Sequence, residues 1–148
     1  MVDWKPSSPL QNLQQRAQVL ASIRRFFAER DVLEVETPLL ASTTVPDVYI
    51  ESISAEFIDG NNSQAYFLQT SPEFFMKRLL ASGSGSIYQI TKAFRQEEKG
   101  RIHNTEFTLL EWYRVSYSLE QLMAELECLV QEILGCGPIP RFTYREIF

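Results

Sequence analysis

The chain has 148 residues, of which 45% are hydrophobic, so it is long enough for one domain with a core of its own. Its formal net charge of −5 argues against a general nucleic-acid surface, which carries a basic excess. No apolar run could cross a bilayer, and the first residues lack the basic start and apolar centre of a signal peptide. We therefore expect a cytoplasmic protein without a membrane partner.

The first predicted helix begins at Ser8. Ser8 can cap it, Pro9 suits the first turn because it has no N–H to leave unpaired, and Gln11 would complete a capping box. The helix would run to about Arg30. Its apolar stripe at helical spacing consists of Leu10, Leu13, Ala17, Leu20, Ala21 and Phe27.

A β-prone region follows this helix. The run LEVETPLL, residues 33–40, is expected to be interrupted by Pro38, which donates no ladder hydrogen bond. The pattern then predicts a loop at 41–48, a strand at 49–57, a turn at 59–62 and a return strand at 65–69.

The next predicted helix opens at Ser71–Pro72–Glu73, where Ser71 supplies a cap and Pro72 a first-turn proline, and it runs to about Ala81, where the run SGSGS ends it. Two strands then flank a charged loop, at Ile87–Arg95 and at Glu106–Tyr113.

The last long helix is predicted to open with a capping box at Ser118–Gln121 and to close at Gly135. Cys128 on this helix and Cys136 beyond it have no metal-ligand spacing, so we expect buried or idle thiols rather than a disulfide or a metal site. Thr143–Glu146 has the spacing of another capping box, yet the sequence stops at Phe148. Because isolated helices that short do not persist, we expect the front part of a longer protein.

The two strands around the charged loop place polar chemistry on one face, because side chains alternate between the faces of a strand. An antiparallel pairing that aligns odd-numbered residues would give one surface carrying Arg95, Glu97, Phe107, Glu111 and Tyr113. The opposite face would be apolar enough to pack on helices, through Tyr88, Ile90, Phe94, Leu110 and Trp112.

Two interpretations of the charged surface remain open at this point. Cross-strand ion pairs on a solvated face would contribute about 0 to 1 kcal/mol each. An aromatic ring among the charges also suits a planar ligand that carries both phosphate and amine groups.

Three segments together resemble the class II aminoacyl-tRNA synthetases, and in particular their lysyl branch. The hairpin, FRQEE followed after a short loop by HNTEFTLLEWY, is similar to motif 2, at about residues 88–113. IRRFFAERDVLEVETPLL, residues 23–40, is similar to motif 1, and TSPEFFMKRLL, residues 70–80, is similar to the substrate-side segment between them. No segment resembles motif 3.

The resemblance implies an α+β fold with the antiparallel sheet of class II synthetases, flanked by helices and incomplete at the C-terminus. Residues 1–148 would be the front part of one catalytic domain. Asp31 stands where the family usually has a helix-ending glycine, and Phe74–Phe75 departs from the Tyr-His that is common in the nearest branch.

Within the lysyl branch, EWYR at 111–114 and the loop RQEEKGR resemble the paralogs that modify translation elongation factor P. A lysyl-tRNA synthetase would carry an anticodon-binding domain ahead of motif 1, for which Met1 leaves no room. We therefore expect elongation factor P, rather than tRNA, as the partner.

The resemblance implies that Arg95 is the catalytic residue and grips the α-phosphate of ATP, where a rigid guanidinium makes two-pronged, charge-assisted hydrogen bonds. Phe107 would stack on adenine. The other ATP contacts would be Gln96, Glu97, His103 and Asn104. The structural alternatives are a salt bridge for Arg95, a core position for Phe107 and a plain loop residue for His103.

On the substrate side, the resemblance implies that Ser71, Pro72 and Glu73 contact the amino acid and that Glu111 and Tyr113 reach an amino group. Lysine or β-lysine carries two ammonium groups and needs fixed carboxylates. Helix N-terminal electrostatics would equally explain Glu73.

The resemblance further implies a homodimer of the full-length protein through Pro38 and the preceding helix, although that helix could instead cover the sheet of its own chain. The cofactors would be ATP and Mg²⁺, with metal ligands mainly beyond residue 148, and the chain by itself is not expected to turn over. The alternatives are a lysyl-tRNA synthetase and a catalytically silent binding or dimerisation module.

Overall fold

The computed structural model describes residues 4–59, 62–96, 100–101 and 103–148. Strands and helices are both present, which confirms the α+β class. The elements in chain order are α1 (Leu10–Ala28), β1 (Leu33–Glu34), β2 (Leu40–Ala41), β3 (Ser54–Asp59), β4 (Asn62–Leu68), α2 (Glu73–Ala81), β5 (Ile87–Phe94), β6 (Glu106–Tyr113), α3 (Leu119–Leu134) and α4 (Tyr144–Ile147).

The chain divides into two compact units. Residues 32–115 hold all the strands described above and α2, whereas α1, α3 and α4 belong to a second unit formed by the two ends of the chain. The strand-bearing unit contains every described site residue that the sequence predicts.

The strand-bearing unit contains two three-stranded sheets, ordered β1-β5-β6 and β2-β4-β3. β5 and β6 pair antiparallel along their whole length, from Ile87 opposite Tyr113 to Phe94 opposite Glu106. β1 pairs with β5 in parallel, so this sheet combines the predicted antiparallel hairpin with one parallel strand. The segment between these strands contains the other sheet and α2, and a connection of that length can return the chain in the same direction.

Pro38 interrupts the first β-prone run as predicted. β1 ends at Glu34 and β2 begins at Leu40, and the two strands belong to different sheets. The predicted strand at 49–57 starts later, at Ser54. Tyr49 instead lies in a turn, where its backbone N–H donates to Asp47 Oδ1 at 2.9 Å. Its side chain is 96% exposed.

The return strand β4 is longer at its start than predicted and ends at Leu68, one residue before Gln69. Asp59 and Asn62 pair across the end of β3 and β4. The two residues between them, Gly60 and Asn61, lie outside the described part of the chain, so the predicted turn there stays a prediction.

In the helical unit, α3 has the predicted boundaries. Ser118 Oγ accepts a hydrogen bond from the Gln121 backbone N–H, and Gln121 Oε1 accepts one from Ser118 N–H at 2.7 Å. The helix ends at Gly135, whose φ of 62° lies in the left-handed region. The capping box of α4 at Thr143 is also present. Cys128 and Cys136 are free and exposed, so the buried alternative is wrong.

α1 differs from its prediction in two respects. It begins at Leu10 with Pro9 at the cap position, and no side chain caps it, so the Ser8 capping box is wrong. Its buried residues lie at the C-terminal end, at Ile23, Phe26 and Phe27, whereas Leu10 is 69% exposed. This end of the helix meets α3, where Arg25 pairs with Glu132 at 2.8 Å.

Asp31, at the position where the family usually has glycine, adopts a left-handed conformation with φ of 53°. Aspartate is one of the few residues with a side chain that tolerate this region. None of the described helices is both long and apolar enough to cross a bilayer.

Candidate functional site

The register of β5 and β6 brings the predicted polar face together. Gln89 pairs with Glu111, Thr91 with Leu109 and Ala93 with Phe107, so odd-numbered residues of both strands share one face of the sheet. The ladder continues past β5, because Arg95 N–H donates to the Thr105 carbonyl at 2.9 Å. The predicted alignment is confirmed for its described members.

The even-numbered face carries its own ion pair. Lys92 Nζ lies 2.8 Å from Glu106 Oε1, and both side chains are about half exposed. A solvated cross-strand pair of this kind is the structure that the alternative interpretation expects. It lies on the face opposite Arg95, so it does not account for the charges on the odd-numbered face.

Arg95 is positioned by two neighbours. Its Nε donates to the Thr70 carbonyl at 3.3 Å, and its guanidinium carbon lies 5.1 Å from the centre of the Phe107 ring. The carbonyl and the ring restrict the side chain from two directions, and a cation near an aromatic ring is itself attracted to it. The guanidinium is therefore held over the face that carries Phe107.

The remaining predicted ATP residues lie around the loop. Gln96 is exposed, and its backbone N–H donates to the Glu51 carbonyl at 3.0 Å. His103 and Asn104 are exposed, and His103 exchanges backbone hydrogen bonds with Gly100 at 3.2 and 3.3 Å. Glu97 lies outside the described residues, so its place on this face stays a prediction.

The junction between β4 and α2 connects the two sheets. Gln69 donates its backbone N–H to the Leu39 carbonyl and accepts from Phe94 N–H, both at 2.9 Å. Its side-chain Nε2 donates to the Lys92 carbonyl at 2.7 Å and to Thr91 Oγ1 at 3.0 Å. These bonds fix the residue that precedes Thr70 against the strand that leads to Arg95.

The substrate-side segment follows this junction directly. Pro72 is fully buried and occupies the cap position of α2, with no side-chain cap from Ser71, so the predicted Ser71 cap is wrong. Glu73 opens the helix, and its Oε1 lies 2.5 Å from Lys77 Nζ, one turn further on. Glu73 is therefore held by an ion pair within α2, in addition to its favourable place at a helix N-terminus.

Glu111 and Tyr113 form a hydrogen-bonded pair on the sheet face, with Tyr113 Oη donating to Glu111 Oε1 at 2.7 Å. Partial burial raises the pKa of the Glu111 carboxyl, Tyr113 opposes this, and the negative charge of Glu73 adds to it. Burial and the Glu111 carboxylate together raise the pKa of Tyr113. Glu73, Lys77, Glu111 and Tyr113 therefore act on one another electrostatically. A cationic ligand would stabilise the ionised form of the Glu111 carboxyl, which burial and Glu73 disfavour.

A cleft of about 460 Å³ lies next to this site rather than within it. It shares Ser71 with the predicted site and also contacts Thr70, whose carbonyl accepts from Arg95, and its wall on α2 is formed by Phe74, Phe75 and Arg78. Glu73 and Lys77, which form an ion pair one turn apart on α2, are not among the residues that line the cleft. Pro38 lines this cleft, but Arg95, Glu111 and Tyr113 do not.

The sheet face and the cleft differ in the chemistry of their side chains. The face combines a positioned guanidinium, an aromatic ring and carboxylates, whereas the cleft is lined mainly by apolar and hydroxyl side chains. In the described part of the chain, no three His, Cys, Asp or Glu residues are grouped so that they could hold a metal ion.

Sequence reasoning assigned no role to three polar residues of this surface. Gln89 and Thr91 are almost fully buried on the odd-numbered face, and Lys77 holds Glu73. The alternation that selected Glu111 also places Gln89 on this face, so its position was readable from the sequence. The Gln69 bonds to the neighbouring sheet had no local signal, because they join residues more than 20 positions apart.

The chain belongs to the family of class II tRNA synthetases. Residues 1–137 match the family of class II tRNA synthetases of the D, K and N type. The resemblance seen in the three sequence segments is thereby confirmed.

Several curated proteins are similar to this chain along almost its whole length. The elongation factor P–(R)-β-lysine ligase of Vibrio vulnificus is 53% identical over 148 residues, which is 99% of this chain and 46% of the relative. The ligase of the same name from Vibrio cholerae is 52% identical over the same shares, and that of Yersinia enterocolitica is 50% identical over 98% of this chain and 45% of its own length. The chain thus spans about half the length of these curated relatives.

The pKa of Glu111 leads to a test on this chain. Glu111→Gln should raise the melting temperature at pH 7 to 8, because the ionised carboxylate disfavours the folded state when its pKa is raised above the ordinary value. The gain should vanish as the pH falls below about 4.5, the ordinary pKa, because both states then hold the protonated acid. Thermal unfolding between pH 4 and 8 measures this difference.

The exposed carboxylate of Glu36 provides the matched control for that series. Glu36→Gln removes one carboxylate from an exposed position, so it corrects the series for the general effect of losing a negative charge. A gain for Glu111→Gln that is equal at pH 4 and pH 8 would contradict the assignment.

Proposed function

We propose that these residues form the front part of a catalytic domain that activates a lysine-type amino acid with ATP and transfers it to a lysine of elongation factor P. The observation that carries the proposal is the shared face of β5 and β6, where Arg95, Phe107, Glu111 and Tyr113 lie together. The names of the similar ligases support the substrate and the protein partner.

The proposed reaction has two steps. In the first, a carboxylate oxygen of the amino acid attacks the α-phosphorus of ATP, the bond to the bridging oxygen breaks and pyrophosphate leaves. In the second, the ε-amine of the acceptor lysine attacks the acyl carbonyl, AMP leaves and the amine gives up a proton. No side chain of the protein becomes covalently attached.

Arg95 would act in the first step. Two anions approach one another as the carboxylate meets the α-phosphate, and a guanidinium held in place offers charge-assisted hydrogen bonds to the charge that develops. The Thr70 carbonyl and the Phe107 ring hold the guanidinium before ATP arrives, so little reorganisation is needed.

The nucleotide would lie along the sheet face toward the loop. Phe107 would stack on adenine beside Arg95, and the loop would supply the remaining contacts from Gln96, Glu97, His103 and Asn104. Mg²⁺ would neutralise phosphate charge, with its ligands mainly beyond residue 148.

The amino acid would lie at the other end of the face. Ser71 and Pro72, which directly precede α2, would contact the amino acid. Glu73, Glu111 and Tyr113 would bind its ammonium groups. Charged hydrogen bonds in a partly buried site, worth about 1.5 to 3 kcal/mol each, would select a diamine over a neutral side chain.

The full-length protein is proposed to be a homodimer through Pro38 and α1. Pro38 is exposed, and so are Leu10 and Leu13 at the start of α1. Apolar side chains that are left in solvent suit burial against a second copy.

Replacement of Arg95 tests the first step. Arg95→Ala in the full-length protein should lower lysine-dependent exchange of pyrophosphate into ATP by at least about 100-fold, because the charge at the α-phosphate loses its fixed donor. Lys92→Ala is the matched control, since Lys92 is a cation of the same strand on the opposite face. Equal losses in the two variants, or exchange retained by Arg95→Ala, would contradict the assignment.

The acceptor is tested by offering both partners to the same enzyme. Radioactive lysine or β-lysine should become attached to elongation factor P and not to tRNA, in parallel reactions with ATP. Charging of tRNA would favour a lysyl-tRNA synthetase. Dimerisation with neither ATP binding nor exchange would favour the silent module.

A further inference from the structure

Gln89 occupies a special place on the proposed substrate face. It is only 2% exposed, and it pairs directly across the hairpin with Glu111. Opposite residues of an antiparallel pair have side chains close enough to contact a common group. Neither the family resemblance nor the predicted site includes this glutamine.

The amide oxygen of Gln89 accepts a hydrogen bond, whereas the amide nitrogen is available to a ligand. Thr37 Oγ1 donates to Gln89 Oε1 at 3.0 Å, which ties the side chain to the segment just before Pro38. Within the part of the chain that the structure describes, the amide nitrogen has no hydrogen-bond partner, and it is not sealed from solvent. The residue is thus buried except for a polar tip.

The tip can offer an acceptor as well as a donor. A hydroxyl both donates and accepts, so the bond to Thr37 is kept when the amide turns over and Nε2 donates to Oγ1 instead. The carbonyl oxygen of Gln89 then takes the place that the amide nitrogen has in the structure, on the residue paired across the hairpin with Glu111. Gln89 can therefore present a neutral acceptor without losing its anchor.

The position of this acceptor along the sheet defines which part of the substrate it meets. Gln89 is six residues from Arg95 on the same strand, a separation of roughly 20 Å. The Arg95 side chain, a phosphate and an extended lysine-type molecule would together span this distance. A substrate whose carboxylate reacts near Arg95 would accordingly direct its terminal ammonium toward Gln89 and Glu111.

We propose that Gln89 is a specificity residue that accepts a hydrogen bond from the terminal ammonium group of the substrate, next to Glu111. This inference rests on the proposed function, and it adds a residue to that site. An ammonium group has three N–H donors, and Glu111 Oε1 already accepts from Tyr113. Glu111 supplies the charge and Gln89 supplies a second acceptor.

A neutral amide suits this position better than a further carboxylate. Burial and the charge of Glu73 already raise the pKa of Glu111. Another negative charge directly opposite would favour protonation of Glu111 and weaken its hold on a cation. The amide completes the set of acceptors without that effect.

The experiment compares substrates as well as variants. Pyrophosphate exchange is measured in the full-length protein with the lysine isomer that supports it best, and with the same isomer carrying one methyl group on its terminal nitrogen. The methyl group replaces one N–H donor. Gln89→Met removes the acceptor at similar volume, so it should raise KM for the unmethylated substrate about 10-fold or more and change kcat less.

Gln89→Met should also lower the discrimination against the methylated substrate at least about fivefold, because the lost donor no longer has an acceptor to meet. Thr37→Val is the matched control, since it removes the anchor and leaves the amide. It should retain most of the discrimination. Gln89→Glu keeps an acceptor but adds a charge opposite Glu111, so it should raise KM for both substrates and still retain the discrimination between them.

The outcomes separate this inference from the proposed function. If the wild type shows no lysine-dependent exchange, both are wrong. If exchange is present and Gln89→Met leaves KM and discrimination unchanged, the inference alone is overturned. Thr37→Val reproducing the Gln89→Met effect would also overturn it, because Gln89 would then act through Thr37. Should Gln89→Met not fold, loss of discrimination in Gln89→Glu would decide against it.

Discussion

The antiparallel register of β5 and β6 is the constraint on which the site depends. Side chains alternate with a period of two, so a slip of one residue would send Glu111 and Tyr113 to the face that carries Lys92, away from Arg95. The register is maintained over the full length of both strands and extends beyond them through the bond from Arg95 to Thr105. The hairpin thus determines the order of functional groups along the face.

A second constraint is the attachment of the substrate-side segment to this hairpin. Gln69 joins the sheets through its backbone and its side chain, and the next carbonyl, that of Thr70, receives Arg95 Nε. The proposed catalytic arginine and the segment proposed to hold the amino acid are therefore positioned by neighbouring residues. A substitution at this junction would affect both the proposed catalytic arginine and the segment proposed to hold the amino acid, because both are attached to it.

The features that sequence patterns predicted correctly are those that depend on residues close together in the chain. The strands of the hairpin, their shared face and the caps of α3 follow from alternation and from side chains that bond within one turn. The cap at Ser71 failed because Pro72 itself takes the cap position, and the strand at Tyr49 failed because Asp47 draws that backbone into a turn. The parallel pairing of β1 and the Gln69 bonds depend on residues far apart in sequence, for which a single chain carries no signal.

The central claim is that the face of β5 and β6, and not the neighbouring cleft, receives the activated amino acid. The most direct measurement is a crystal structure of the full-length protein bound to a sulfamoyl analogue of lysyl-adenylate. The account predicts the sulfamoyl group at the Arg95 guanidinium, adenine on Phe107 and the terminal ammonium between Glu111 and Gln89. An analogue seated in the cleft against Phe74 and Arg78, without contact to Arg95, would contradict it.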